Sequence, residues 1–198
     1  MNLFKIFISA FLIDNVILMR FLALCPFIGM STDEDKSTGM GLAVTFVTVL
    51  ATCVTYPIYR VILEPLGLEF LQLLVFILVI AALVQLVEFY LKKSAPALYG
   101  SMGIYLALIT TNCAILAVTL EVINNTCPFT GKPYSFPEAL VYALGVALGF
   151  LLSLLLLAGI RRRIRTSPVP AFLKGTPILF ITAALLSIAF MGFKGLVK

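Results

Sequence analysis

Histidine is absent from all 198 residues. That absence removes imidazole metal sites, histidine acid–base chemistry and the Ser-His-Asp arrangement from anything this chain does alone. Charge is scarce as well: 12% of the residues are charged, against roughly 25% in soluble domains. The chain has no Cys-x-x-Cys pair, no glycine-rich phosphate loop after a strand, and no hydrophilic stretch long enough for a soluble nucleotide-binding domain. Cysteine is limited to four positions, Cys25, Cys53, Cys113 and Cys127.

What remains is apolar: 62% of the residues are hydrophobic. A bilayer core about 30 Å thick needs about 20 apolar residues per helical span. Six such segments are present: Leu3 to Leu24 with an extension toward Met30, Gly39 to Leu63, Phe70 to Leu91, Leu98 to Leu120, Ala139 to Ile160 and Leu173 to Phe193. Short polar breaks such as "STDEDKST", "KKSAP" and "RRRIRTSPVP" separate them. The pattern predicts an all-α integral membrane protein with one membrane domain over residues 1–198. The first segment holds Asp14, Asn15 and Arg20 and lacks a small-residue cleavage site, so it is expected to stay in the mature protein.

Lysine and arginine in short loops stay on the cytoplasmic side. Lys36, Lys92, Lys93, Arg161, Arg162, Arg163, Arg165 and Lys174 fall on one face of a six-span arrangement and Lys5, Arg60, Lys132, Lys194 and Lys198 on the other, so the first face is expected to be cytoplasmic, with both termini outside. The net charge of +5 then reflects loop topology and contact with lipid headgroups, and nucleic acid is not expected as a partner. Three spans followed by three that enter from the opposite face are the pattern expected of an inverted repeat, approximately 1–92 and 97–198. Phe21–Leu24 and Tyr105–Leu108 share an aromatic-Leu-Ala-Leu tetrapeptide in the first span of each half, with a cysteine shortly after each.

Those cysteines sit at predicted interruptions of the first and fourth spans. Pro26 lacks an N–H and restricts the residue before it, so the first helix is expected to break at Cys25. Thr110, Thr111 and Asn112 place three polar side chains in mid-span before Cys113, which lipid tolerates where they face protein, satisfy broken backbone or bind something. Two thiolates at paired breaks suit iron or an iron–sulfur cluster as soft ligands, and inert packing is the alternative. Cys53 lies in an ordinary apolar helix and is read as a small packing residue. Cys127 lies in an outer loop. A cluster takes four ligands, so two must come from another chain.

The other intramembrane polar residues are Asp14, Asn15, Arg20, Gln85 and Glu88, and such residues are functional candidates by default. Gln85 and Glu88 share a helix face; with Asp14 they are the candidates for a cation path. Glu88 alternatively forms an interfacial pair with Lys92, four residues on. Asp14 and Arg20, six positions apart, cannot face each other on a regular helix and need partners on other helices or chains, or a break between them.

"LIDNVILMRFLALCPFIGMS", "LVFILVIAALVQLVEFYLKK", "GIYLALITTNCAILAV" and "AFLKGTPILFITAALLSIAFMGFKGL" resemble the A-type membrane subunits of the Rnf complex, an ion-translocating ferredoxin:NAD oxidoreductase. They are also similar to the homologous E-type subunits of the sodium-pumping NADH:quinone oxidoreductase. The likeness covers nearly the whole chain and is most specific in "LCPFIG" and "LITTNCAIL". It implies a six-helix protein of the bacterial cytoplasmic membrane, paired with a homologous E-type Rnf protein of opposite topology and assembled with the B, C, D and G components of the complex. It also implies that Cys25 and Cys113 bind a [2Fe-2S] cluster shared with that partner, with Pro26, Thr110, Thr111 and Asn112 around it, and that Glu88 serves a sodium or proton route. No flavin or nucleotide is expected on this chain alone. The rival readings are a secondary transporter with the same inverted repeats and no redox centre, and a structural scaffold.

Overall fold

The structure, a computed structural model, describes residues 2–31, 34–67, 69–94, 109, 112–124, 133–168, 170 and 173–192. Among these the regular structure is helical, with no strand. The first predicted span is a series of short pieces: α1 (Asn2–Ile8) runs into a π-helical turn at Ser9–Ile13, followed by α2 (Val16–Arg20) and α3 (Leu24–Met30). The long helix α4 (Glu34–Ile58) ends near Pro57 in a second π turn, Tyr59–Leu63. Beyond it come α5 (Gln72–Ser94), α6 (Cys113–Asn124), α7 (Phe136–Arg165) and α8 (Thr176–Met191).

Three helical stretches are long and apolar enough to cross a membrane: Ser37–Leu63, Gln72–Phe89 and Phe136–Arg165. They coincide with the second, third and fifth predicted segments. Leu3–Ile13, Cys113–Asn124 and Thr176–Met191 are shorter apolar helices. The Tyr105–Leu108 tetrapeptide, Thr110, Thr111 and Cys127 lie outside the described residues.

Helix α7 is the centre of the fold. It starts with a reciprocal cap, in which Ser135 and Glu138 each bond the other's backbone. It packs most extensively on α4, and Val146, Phe150, Leu154 and Leu157 share one buried core with Met40, Val44, Val47 and Ala51. The other face of α7 carries Gly145 and Gly149, four residues apart, and the first span lies directly on them. A Cβ on Gly145 would come within 2.7 Å of the Ala10 Cβ, and one on Gly149 within 2.8 Å of the Phe11 carbonyl oxygen. Such small-xxx-small spacing lets two backbones approach closely where lipid offers no hydrophobic drive between helices.

Buried hydroxyls in α4 are satisfied within the helix: Thr48, Thr52 and Thr55 each donate to the carbonyl four residues back. Large apolar side chains such as Phe46, Phe70, Leu78, Phe89, Leu185 and Ile188 remain exposed on the chain. They suit contact with lipid tails or other membrane proteins.

Candidate functional site

The first span is interrupted twice, and each interruption is held by named groups. Asn15, fully buried, caps α2: its Oδ1 accepts the Ile17 and Leu18 N–H groups at 3.2 and 3.4 Å. Its Nδ2 donates to the Gly149 carbonyl at 2.9 Å and to Ser153 Oγ at 2.6 Å. Backbone freed within a membrane span must find such partners in protein. Gly149 is therefore both the contact that admits the first span and an acceptor for its break.

The second interruption corrects the sequence expectation. Cys25 and Pro26 lie inside α3, as its second and third residues, and the chain turns earlier, at Phe21 and Ala23. Proline fits there because the first N–H groups of a helix have no partner within the helix. Phe21 and Ala23 adopt left-handed φ values of 54° and 58°, an unusual conformation for residues with a Cβ. Surrounding groups hold it: Ser187 Oγ on α8 donates to the Leu18 carbonyl, and the Ala23 N–H donates to Cys113 Sγ at 2.9 Å. At the far end of α3, Arg161 Nη1 donates to the Ile28 carbonyl at 3.0 Å and to Ser31 Oγ at 3.1 Å. A cation at a helix C-terminus is favourably placed.

Cys113 is the first residue of α6, preceded by Asn112 as its cap. Asn112 Oδ1 accepts the Ala114 N–H at 3.0 Å, and Asn112 Nδ2 is a buried donor without a hydrogen-bond partner among the described residues. The contact between Ala23 and Cys113 thus joins two interruptions 90 residues apart, each beside a cysteine. Cys25 and Cys113 are both exposed on the chain, where a second protein can reach them. Cys53, on α4, is exposed on the chain as well.

Arg20 has the partner on another helix that its spacing from Asp14 demanded. Arg20 forms an ion pair with Glu121 on α6, whose side chain is 7% exposed. Asp14 and Tyr142 also lie within electrostatic reach of Glu121. Glu121 follows Cys113 by eight residues, about 12 Å along the helix, and binds α6 to α2. The sequence offered one signal for it, an acidic residue just past a span in a chain whose Arg20 lacked an acid. Gln85, exposed, and Glu88, half-buried, lie on α5, which packs against α4 and α6.

Comparison with known proteins covers nearly the entire chain. A family model described as Rnf-Nqr subunit, membrane protein, matches residues 3–197. The A-type subunit of the Na(+)-translocating ferredoxin:NAD(+) oxidoreductase complex of Acetobacterium woodii is 51% identical over 196 residues, covering 99% of this chain and 98% of that protein. The A-type subunit of the ion-translocating oxidoreductase complex of Syntrophotalea carbinolica is 53% identical over 196 residues, with 99% and 98% covered. Its counterpart of the same description from Vibrio vulnificus is 48% identical over 191 residues, with 96% of each covered. The interrupted first span, the cysteine at the start of α6 and the apolar helices around them are thus features of a member of the Rnf-Nqr family of membrane subunits, to which this chain belongs.

Proposed function

We propose that the chain is the A-type membrane subunit of an ion-translocating ferredoxin:NAD oxidoreductase, and that Cys25 and Cys113 hold half of a [2Fe-2S] cluster. The observation that carries the cluster assignment is the Ala23 N–H bond to Cys113 Sγ, which ties the break before Cys25 to the sulfur of Cys113. The activity named for the half-identical relatives supports the redox and ion-translocating role.

The residues present fit such a group. Two cysteine sulfurs lie in the first turns of helices beside the joined breaks. Asn112 Nδ2 is a buried donor lacking an acceptor among the described residues, and the N-terminal end of α6 favours negative charge. When bound, the cluster supplies a one-electron carrier inside the membrane. The chain's own part is to bind through Cys25 and Cys113, to fix Cys113 with the Ala23 N–H, and to seat α3 through Arg161. Iron–sulfur clusters take four protein ligands, so the missing pair belongs to a homologous E-type protein of opposite topology. Six spans in two inverted halves, with both termini outside the bacterial cytoplasmic membrane, suit that pairing. Asp14, Gln85 and Glu88 then offer polar side chains for a sodium or proton route.

The test is ion uptake. Vesicles carrying the complex should accumulate sodium or protons only when reduced ferredoxin and NAD are supplied together. Uptake that needs no electron donor would favour a secondary transporter and overturn the redox role.

A further inference from the structure

We propose that the backbone N–H of Ala23, by donating a hydrogen bond to the Cys113 sulfur, raises the reduction potential of the iron–sulfur group held there. The inference rests on the ligand role proposed for Cys113 and adds a redox-tuning group outside the ligand set.

The amides of the second break can be followed one by one. Helix α2 closes with a double cap: the Phe21 N–H donates to the Ile17 carbonyl at 2.9 Å and the Leu22 N–H to the Val16 carbonyl at 3.3 Å. This is the Schellman pattern, and it needs one left-handed residue, here Phe21. The Ala23 carbonyl opens α3 by accepting the Phe27 N–H at 3.2 Å. The Ala23 N–H leaves the local backbone and reaches Cys113 Sγ at 2.9 Å. Ala23 is 3% exposed and is the second left-handed residue of the turn, one more than the cap of α2 requires.

The first break supplies the comparison. There the Ile17 and Leu18 N–H groups receive an amide oxygen, Asn15 Oδ1. At the second break a buried N–H receives a sulfur. A buried N–H within a membrane span needs a good acceptor, and a neutral thiol is a weak one. A thiolate bound to iron carries negative charge, and hydrogen bonds to ionised acceptors are roughly twice as strong as neutral ones. The contact is therefore worth most when Cys113 holds the cluster. Reduction adds further negative charge, so the bond favours the reduced form; hydrogen bonds to cluster sulfurs are a recognised lever on reduction potential.

The experiment is a redox titration, followed by EPR, of the intact complex, monitoring the signal that Cys113→Ala removes. Exchanging Ala23 for lactic acid, the hydroxy acid with the same methyl side chain, replaces this one N–H by an ester oxygen. The ratio of reduced to oxidised cluster at a fixed potential should then fall about tenfold, the effect of one hydrogen bond to a charged acceptor, or about 59 mV for a one-electron couple. Ala23→Gly keeps the N–H and adopts left-handed φ freely, so it should keep the wild-type potential. An unchanged potential in the ester complex, or an equal fall in Ala23→Gly, overturns the proposal. A spectroscopic test needs no ester: in complexes labelled with nitrogen-15 in alanine alone, pulsed EPR of the wild type should show a nitrogen coupling that Ala23→Gly lacks. Identical spectra also overturn the proposal. If the wild-type complex has no signal that depends on Cys113, the ligand assignment itself fails, and this inference with it.

Discussion

Cys25→Ala and Cys113→Ala should each abolish the [2Fe-2S] EPR signal of the reduced complex and reduce ferredoxin-dependent NAD reduction beyond the roughly 10–100-fold cost of losing an outer-shell partner. The proposed site has no ligand to spare. Among the described residues no group of three or more histidine, cysteine, aspartate or glutamate side chains gathers to replace a lost sulfur, and an alanine methyl cannot ligate iron. The same experiment carries its own control. Cys53 lies exposed within the long helix α4 and beside no helix interruption in the chain, so Cys53→Ala should leave signal and activity as in the wild type. A normal signal in Cys113→Ala would remove the cysteine from the ligand set.

The second large effect comes from a glycine. Gly149→Val should destabilise the assembled protein by about 3 kcal/mol or more, at the upper end of what overpacking costs, read as a lowered thermal midpoint of the detergent-solubilised complex. The first β-carbon would meet the Phe11 carbonyl oxygen at 2.8 Å and Asn15 Nδ2 at 3.5 Å. The nearer contact is backbone and cannot rotate away. Pushing it back would also stretch the bond from Asn15 to the Gly149 carbonyl, leaving a polar break in the membrane unsatisfied. Gly159 lies farther along the same helix, where a Cβ would meet nothing within 4 Å. Gly159→Ala should therefore be neutral, or stabilising by up to about 1 kcal/mol through helix propensity. Equal losses in the two variants would mean that the close approach at Gly149 is unimportant.

The spans were legible because apolar length is a local property. Gly39–Leu63, Phe70–Leu91 and Ala139–Ile160 fall within the three long apolar helices or within a few residues of them. The presence of an interruption near "LALCPF" was legible too, but its position was not. Proline suggested Cys25, whereas the turn is made by Phe21 and Ala23 in a left-handed conformation that their side chains do not advertise. That conformation depends on tertiary partners, Ser187 and Cys113, distant in the chain. The same holds for Asn15 with Ser153, Arg20 with Glu121 and Arg161 with Ile28, each pair more than 100 residues apart. A single sequence marks such residues as polar and costly in a membrane without saying what they meet. "GVALG", Gly145 to Gly149, carried a readable packing signal for helix association in its spacing.

The central claim, that this chain holds half of a shared cluster, is tested most directly by purifying it together with its homologous membrane partner, free of the other iron-containing components. Iron and acid-labile sulfide should be present in equal amounts, at one [2Fe-2S] cluster per pair, with a matching EPR spin count on reduction. Cys113→Ala should remove all three. A pair without iron or sulfide, or a complete cluster retained by this chain in the absence of its partner, would contradict the account.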